Sequence, residues 1–517
     1  MDVKVSSRKL SRVRADLIVL LVHSRETWCE IDDESVASVV EDYRRAVERK
    51  TVSEPLIWGA PALGRARRQR FWMFAPERIE RLAPGEQVKT AAARAAKYAR
   101  SLRLKRIVFL LNSEAGARWA SPLAEGLWLG DYRFEKYQRS EKSKQPPLEV
   151  EILVPASDLA QLQGAVDRTR IVCEAVNYAR NLVNEPAAVI YPEILAREAR
   201  RIAQTSGFRC VVLNERSLRA GGYNGLLAVG RASPHPPRLI VLSHRPRRSS
   251  RAHLALIGKG VTFDTGGICL KPGKDMWMMK GDMSGAAAVL ATMSVLKKLR
   301  PRVRITAIVA AAHNAIGPDA THPGDILVAK NGKTIAIENT DAEGRLILTD
   351  ALHRAGEEGA THAIDIATLT GACQRALGHA LSGLFTDDDG LREQIVEAGK
   401  WVGEGFWPLP LHDEYREMLK SSVADVNNIS SSRNGGAITA ALFLREFVPA
   451  GVRWAHLDIA GSAMVEKEWK YFQPGATGST VRTLIHLCTQ KWSSAERGAS
   501  EGLVHGGPHF GREPIVC

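Results

Sequence analysis

Acidic side chains are concentrated at three glycine-containing places in the middle of the chain. Asp264 follows an apolar run and precedes two glycines, and Asp282 precedes a helical pattern. Asp341 and Glu343 share one short loop, and no histidine lies among these residues. Hard divalent cations prefer oxygen ligands, and two such cations would balance four carboxylates. The residue types therefore predict a two-metal hydrolytic centre within residues 258–345.

The spacing of the carboxylates supports this interpretation. Asp341 and Glu343 are two residues apart, so an extended chain would point both side chains in one direction, where they repel each other unless a cation intervenes. An exposed acidic turn is the alternative for this pair, and helix capping is the alternative for Asp282. Asp264 and the 339–345 loop both follow predicted strands, where α/β folds place ligands. Taken together, these positions favour a metal site.

Three basic residues accompany the carboxylates. Lys259 lies between two glycines at a predicted strand end, where a buried ammonium would be costly but a neutral amine could bind a metal. A solvent-exposed lysine is the alternative. Lys271 and Arg345 suit stabilisation of a developing oxyanion or capture of a small anion.

The elements that must position these residues follow the pattern of an α/β sheet covered on both faces. A buried strand at 254–257 is expected to lead into the first glycine-rich loop. Residues 326–330 and 333–338 predict a hairpin, and Asn331-Gly332 between them has the composition of a type I′ turn. Helices are expected on either side of this hairpin, and their predicted bounds are residues 285–299 and 346–357.

The length of 517 residues predicts more than one domain. We expect an α/β protein in which the larger domain has a central mixed sheet flanked by helices. The predicted parts are a smaller N-terminal α/β domain at 1–157, a connecting helix at 158–186, a catalytic α/β domain at 187–490 and a flexible C-terminal tail at 491–517.

The composition, with 45% hydrophobic and 25% charged residues, is that of a soluble globular protein. No apolar run is long enough to span a bilayer, so no membrane partner is expected. Seven scattered cysteines without a C-x-x-C pair indicate reduced thiols in an intracellular compartment. The net charge of +14 permits contact with nucleic-acid backbones, and a solvated basic surface is the alternative.

The first fourteen residues are basic and contain three serines. This composition has features of a transit peptide, which makes a mitochondrial or other organelle location an alternative to the expected cytoplasmic one. A short basic tail before the first strand explains the same residues without targeting.

Residues 339–346, Asn-Thr-Asp-Ala-Glu-Gly-Arg-Leu, resemble the signature of the leucyl aminopeptidase (cytosol aminopeptidase) family. The resemblance extends over residues 158–487 and is looser in the first domain. Its further motifs lie at residues 258–264, 279–287, 331–334, 365–372, 424–428 and 454–461.

The resemblance implies a metal-dependent aminopeptidase that releases leucine and similar N-terminal residues through attack of a metal-bridging water. Two divalent ions per subunit are implied, Zn²⁺ or Mn²⁺, with Mg²⁺ or Co²⁺ as alternatives. The tight site would be formed by Lys259, Asp264, Asp282 and Glu343. The exchangeable site would be formed by Asp264, Asp341 and Glu343, so that Asp264 and Glu343 bridge the two ions.

The resemblance also assigns catalytic and substrate-binding roles. Lys271 would polarise the scissile carbonyl, and Arg345 would hold a bicarbonate ion that acts as general base. Met279, Thr368 and Gly371 would line the pocket for the N-terminal side chain.

The implied partners are peptides with a free N-terminus and other copies of the chain in a homohexamer. A DNA-associated or structural protein that retains the peptidase scaffold is the alternative function. The sequence lacks H-E-x-x-H, G-x-S-x-G and P-loop motifs, which argues against thermolysin-type, serine-hydrolase and nucleotide-binding chemistry.

Overall fold

The computed structural model describes two large β-sheets with their covering helices, a helix between them, and two small sheets of three and two strands. The described residues are 1–21, 56–59, 70–74, 82–111, 113–139, 147–247 and 250–492. The predicted tail at 491–517 lies almost wholly outside these ranges.

The N-terminal sheet has six strands in the order β1-β6-β5-β2-β4-β3, all parallel except for β3, which pairs antiparallel with β4. Helices α1 (Pro84–Ser101) and α2 (Ser113–Gly130) bury alanine- and leucine-rich faces against it. The strands are β1 Asp2–Ser6, β2 Leu17–Leu21, β3 Leu56–Gly59, β4 Arg70–Phe74, β5 Arg106–Leu110 and β6 Glu149–Leu153.

Strand β1 corrects the expectation of a basic tail at the start of the chain. All five of its residues pair with β6, and Val3 and Val5 are buried in the N-terminal core. Lys4 is exposed within the strand, and Arg8, Lys9, Arg12 and Arg14 follow it. Residues 2–6 of the basic segment therefore form an edge strand of the sheet.

Helix α3 (Leu159–Asn184) follows β6 and corresponds to the predicted connecting helix. It packs against α2 of the first sheet and against a helix of the second, α7 (Ser284–Leu299). Its buried residues include Val166 near its start and Val183 near its end. One long helix thus contributes to the cores of both parts of the chain.

The second sheet has eight strands in the order β15-β14-β17-β13-β9-β10-β8-β7. Its centre is parallel, because β9 pairs in parallel with both β10 and β13, while β8 and β14 are antiparallel to their inner neighbours. The central mixed sheet that the sequence predicts is confirmed. Its strands are β7 Arg209–Leu213, β8 Arg238–His244, β9 His253–Asp264, β10 Arg304–Asn314, β13 His362–Ala367, β14 Leu381–Phe385, β15 Gly405–Pro408 and β17 Arg453–Asp458.

Helices cover both faces of this sheet and form two apolar cores. One core takes residues from α3, α4, α7, α10 and α12, and the other takes residues from α5, α6, α8 and α11. The remaining helices are α4 Pro192–Ser206, α5 Glu215–Gly221, α6 Asn224–Gly230, α8 Glu343–Glu357, α9 Gly371–Leu377, α10 Asp389–Val402, α11 Gly436–Arg445 and α12 Val481–Thr489. Short strands complete the fold at β11 Ile326–Val328, β12 Thr334–Ala336, β16 Val426–Asn427, β18 Met464–Val465 and β19 Gly475–Ala476.

The hairpin formed by β11 and β12 is present, but its turn is not type I′. That turn requires a positive φ at both central residues, and of the predicted pair only Gly332 has one, at 91°. The Gly332 nitrogen donates to the Ala329 carbonyl, and the Ala329 nitrogen donates to the Lys333 carbonyl. The connection is therefore a longer loop in which the glycine takes the left-handed position after the turn.

Candidate active site

Strand β9 carries the first two site residues along the middle of the large sheet. The sequence places Lys259 in a glycine-rich loop, but β9 continues from His253 to Asp264, so this lysine lies within the strand. Lys259 and Asp264 are each only 2% exposed. The Gly-Lys-Gly pattern is typical of a loop in isolation, but here all three residues pair with β10, and Gly258 also pairs with β13, which keeps the segment extended.

Lys259 is surrounded by acceptors. Its Nζ lies 2.7 Å from Asp282 Oδ1 and 2.9 Å from Glu343 Oε1, and it donates to the Thr368 carbonyl at 3.0 Å. These partners come from three different elements. The alternative of a solvent-exposed lysine is therefore wrong.

Asp282 lies in a 3-10 helix, Met276–Met283, directly before α7. The cap position of α7 is Met283, and no side chain accepts a hydrogen bond there, so the capping role for Asp282 is excluded. Its Oδ1 instead accepts from Lys259 and from the Thr368 hydroxyl at 2.7 Å. Asp282 thus belongs to the buried cluster at the end of the central strands.

Asp341 and Glu343 do not lie in the extended segment that their spacing predicts. Asp341 is in a turn, and Glu343 is the first residue of α8, which begins three residues before the predicted start. They still converge, because the turn directs both toward the end of β9. One carboxylate oxygen from each of Asp264, Asp341 and Glu343 lies within 4.8 Å of the other two.

A tight loop after β9 brings the Lys271 side chain back to Asp264. Gly266 and Gly267 have φ values of 87° and 65°, a conformation that costs glycine little, and the Lys271 nitrogen donates to the Thr265 carbonyl at 2.9 Å. The Lys271 Nζ then lies 2.9 Å from Asp264 Oδ2 and 2.5 Å from Asp341 Oδ1.

The electrostatics of the cluster are those of crowded, buried acids. Burial, together with the charge of Glu343, raises the pKa of Asp264 to about 7, and burial raises the pKa of Asp282 well above its usual range. Burial also acts to raise the pKa of Glu343, but Lys259 and Lys271 outweigh it and lower that pKa. Each carboxylate therefore depends on nearby positive charge to remain ionised.

The cluster fits divalent cations. Four carboxylates face two ammonium groups, which leaves two negative charges in a largely buried site. Asp282 Oδ2 and Glu343 Oε2 are buried and have no hydrogen-bond partner, and such atoms are costly unless something binds them. Carboxylate oxygens are the ligands that hard cations prefer, and an amine adds borderline character that suits zinc or manganese.

Arg345, two residues into α8, is buried at the edge of the cluster. Its Nη1 donates to the Asn428 carbonyl at 2.8 Å, its Nε has no partner, and its guanidinium lies 5.9 Å from the Phe443 ring. Burial lowers its pKa to about 10, so the side chain remains charged at neutral pH. An arginine with an unused N–H suits a small anion.

The three predicted pocket residues lie on two segments beside the cluster. Met279 is half-buried in the 3-10 helix that carries Asp282, and Thr368 and Gly371 follow β13. Thr368 uses both its hydroxyl and its carbonyl on Asp282 and Lys259, so it holds the cluster in place in addition to its predicted role. Gly371 is exposed at the start of α9.

Three residues in contact with the cluster were not predicted from the sequence to have roles there. Asn314 ends β10 and donates to Asp264, Gly344 leaves room for the Lys259 side chain, and Asn428 accepts from Arg345. An asparagine at a strand end and a glycine in a loop are common in any α/β protein. Only the three-dimensional contacts distinguish these residues.

A cluster of carboxylates and lysines at the carboxyl edge of the central strands defines the class of protein as a metal-dependent hydrolase. The catalytic-domain profile of the cytosol aminopeptidase family matches residues 177–485. The chain belongs to this family.

Relatives and solved structures agree with this assignment. A probable cytosol aminopeptidase of Solibacter usitatus is 40% identical over 489 residues, which cover 94% of this chain and 99% of that protein. One from Aquifex aeolicus is 45% identical over 364 residues, which cover 70% and 73%. A tomato leucine aminopeptidase structure superposes with a TM-score of 0.82 at 32% identity, over 95% of this chain and 96% of the other.

A bottromycin maturation enzyme in complex with manganese superposes with a TM-score of 0.78 at 34% identity, over 92% of this chain and 99% of that one. The resemblance read from the sequence is confirmed. The protein is a metal-dependent aminopeptidase, a hydrolase that releases residues from the N-terminus of peptides.

No helix in the described ranges has the length and apolarity to cross a membrane. Five cysteines fall within those ranges, and all five are free thiols.

Proposed function

We propose that the buried cluster holds two divalent cations and that these ions serve removal of leucine and similar residues from peptide N-termini. The observation that carries this proposal is the convergence of Asp264, Asp341 and Glu343 within 4.8 Å, beside carboxylate oxygens that have no partner. With Lys259 as a neutral amine ligand, four carboxylates and the Lys271 ammonium leave three negative charges, more than a single divalent cation balances.

The contacts support a division of the ligands between two positions. Lys259 lies against Asp282 and Glu343 on one side of the cluster, and Asp341 lies with Lys271 on the other. We assign the tight position to Lys259, Asp282 and Glu343 and the exchangeable one to Asp341.

Asp264 and Glu343 would contribute to both positions, since they lie between these two sides. Manganese or zinc would occupy the two metal positions, and the manganese complex of the bottromycin maturation enzyme supports manganese.

When bound, two such cations polarise a carbonyl and activate a water for attack. The chain supplies the remaining groups. Lys271 has a pKa raised by Asp264, against the opposing effect of burial, so its ammonium stays charged and suits a developing oxyanion. Arg345 presents the unpaired N–H that a bicarbonate acting as general base would need.

The pocket for the N-terminal side chain would be formed by Met279, Thr368 and Gly371. Met279 is half-buried, and Gly371 has no side chain to fill the space next to Thr368. An apolar, unbranched residue beside a small one favours leucine or methionine in the substrate. The kcat/KM values of leucine, methionine, glycine and lysine amides would test this preference directly.

We further propose that the chain acts in the cytoplasm as a homohexamer. Exposed aromatic side chains supply apolar surface for contacts between subunits, because Trp277, Trp401 and Trp407 are each more than half exposed. Light scattering of the purified protein would give the mass: six times 56.6 kDa supports the proposal, and a monomer contradicts it.

The catalytic proposal is tested by hydrolysis of leucine amide. Protein stripped with a chelator is expected to be inactive, refilling with Mn²⁺ or Zn²⁺ is expected to restore activity, and Asp341→Ala is expected to prevent restoration. Full activity in the stripped protein, or a fully active Asp341→Ala variant, would exclude this centre.

A further inference from the structure

Asn314, the last residue of β10, makes two hydrogen bonds with one atom. Its side chain is buried, and Nδ2 donates to Asp264 Oδ1 at 2.8 Å and to the Thr340 carbonyl at 3.1 Å. A carboxamide nitrogen has two hydrogens, and both are used here. The same donor therefore ties a carboxylate at the end of β9 to the peptide that precedes Asp341.

An irregularity between β9 and β10 brings Asn314 to this position. The strands pair in register up to Ala312 and Val261, and the next pair is Asn314 and Asp264. Between these pairs β9 contains two residues where β10 contains one, which is a β-bulge, and bulges redirect side chains next to active sites. Regular pairing would place Asp264 one position past the asparagine.

The main chain of Asn314 reinforces the same link. Its carbonyl accepts from both the nitrogen and the hydroxyl of Thr265, each at 3.0 Å. Asn314 thus makes hydrogen bonds to two consecutive residues. Its side chain bonds the Asp264 carboxylate, and its carbonyl accepts from Thr265.

The loop that carries Asp341 is held from the other side by Thr340. The Thr340 hydroxyl donates to the Gly266 carbonyl at 2.6 Å and accepts from the Cys269 nitrogen at 2.9 Å. The Asp341 nitrogen donates to Asn339 Oδ1 at 2.8 Å. These contacts fix the loop, and the hydrogen bond from Asn314 to the Thr340 carbonyl links the loop to the end of β10.

We propose that Asn314 is a positioning residue that sets the separation of Asp264 from Asp341 and thereby the affinity for the exchangeable cation. The inference rests on the two-metal centre proposed above. Partners that orient metal ligands are typically worth 10- to 100-fold in metal affinity. Of the ligands assigned to the tight ion, Asn314 touches only the shared Asp264. Lys259, Asp282 and Glu343 hold that ion without it, so its affinity is expected to change much less.

Two replacements separate this role from simple packing. Asn314→Ala removes the donor and leaves space, whereas Asn314→Leu retains the branched shape but has no N–H. Both leave Asp264 Oδ1 with the Gly266 nitrogen as its remaining neutral donor and leave the Thr340 carbonyl without this bond. A role in metal positioning predicts the same effect in both variants.

The matched control is Asn184→Ala. Asn184 is similarly buried and its side chain also makes two hydrogen bonds, donating to the Tyr132 hydroxyl and accepting from the Ala476 nitrogen, and neither partner belongs to the carboxylate cluster. It measures what the loss of a buried, hydrogen-bonded asparagine does to the fold alone.

The experiment is calorimetric titration of chelator-stripped, full-length protein with Mn²⁺, with circular dichroism to verify folding. Wild type and Asn184→Ala are expected to bind two ions, and both Asn314 variants are expected to bind the second ion 10- to 100-fold more weakly with the first little changed. An unchanged second ion, or equal weakening of both ions, overturns the role of Asn314. Fewer than two ions in wild type overturns the two-metal centre itself, and this inference with it.

Discussion

Gly344 of α8 lies directly against the side chain of Lys259, so any larger residue at position 344 must displace the lysine. A Cβ at position 344 would be 2.7 Å from Lys259 Nζ and 2.6 Å from its Cε, closer than real Cβ atoms approach other atoms. A lysine that moves aside loses the contacts of its Nζ with Asp282 and Glu343. The glycine in the 339–346 motif is thus explained by the space that the lysine occupies.

Gly344→Ala is expected to displace Lys259 and to lower the affinity of the tight metal position at least tenfold, with a corresponding loss of activity. Metal content after dialysis and leucine-amide hydrolysis would measure both effects. Gly164→Ala is the control, since position 164 is on α3 and a Cβ there has no atom within 4 Å. Normal metal content in Gly344→Ala would show that the lysine has room to move.

Lys271→Met is expected to lower kcat by about 10²- to 10³-fold, the usual cost of removing an oxyanion-stabilising group. Its ammonium contacts Asp264 and Asp341 without being an assigned ligand, so two Mn²⁺ ions should still bind. Steady-state kinetics and metal analysis on the same preparation would separate catalysis from metal loss. A fall in KM alone, or loss of the metals, would contradict this role.

The contact between the two parts of the chain contains a buried network of charges around Arg482. This side chain is 4% exposed and pairs with Glu125 of α2. Its Nε also lies 3.3 Å from Glu404 Oε1. Arg482→Met leaves the half-buried carboxylates of Glu125 and Glu404 without this partner, which should cost about 3 kcal/mol in the free energy of unfolding.

Arg219→Ala is the matched surface variant. Arg219 pairs with Glu215 one helical turn away, and its side chain is 74% exposed, so its loss should cost less than about 1 kcal/mol. Denaturant unfolding of both variants would test the difference. Equal effects would show that the network contributes no more than a surface pair.

Asp350 provides a test of pH dependence away from the cluster. Burial raises its pKa from 3.8 to about 8, and its Oδ2 accepts from the Leu226 nitrogen at 2.8 Å while Oδ1 has no partner. Because the folded pKa lies above the unfolded one, stability from this group is fully present below about pH 4. It is lost as the pH rises toward 8, by roughly 1.4 kcal/mol per pH unit.

Asp350→Asn retains the acceptor for Leu226 and has no charge to bury. The stability of wild type relative to this variant should therefore fall as the pH rises from 5 to 8, and the variant should be the more stable protein at pH 8. Denaturant titrations at several pH values would measure the difference. A difference that does not change with pH would show that Asp350 is ionised throughout.

Residue types and loop positions are enough to predict that the carboxylates come together, because side chains at the carboxyl edge of a parallel sheet lie close to one another. Local conformation was less accessible. The glycines on both sides of Lys259 predict a loop, but pairing with β10 keeps this backbone extended. The helical pattern predicts that α8 begins at residue 346, whereas the helix begins at Glu343 and includes Gly344.

Other contacts between distant segments could not be predicted. Asn314 reaches Asp264 only because of a bulge in β9, and no pattern in the sequence marks that bulge. Arg482 and Glu125 are 357 residues apart, and each alone is an ordinary charged residue on a helix. Such relationships depend on how the two sheets pack against α3, which the order of elements does not specify.

The measurement that tests the two-metal centre most directly is anomalous X-ray diffraction from crystals of the full chain soaked in Mn²⁺. The account predicts two manganese peaks about 3.5–4 Å apart. One should lie against Lys259 and Asp282, the other against Asp341, with Asp264 and Glu343 contacting both. A single peak in the cluster, or manganese bound only elsewhere, would contradict it.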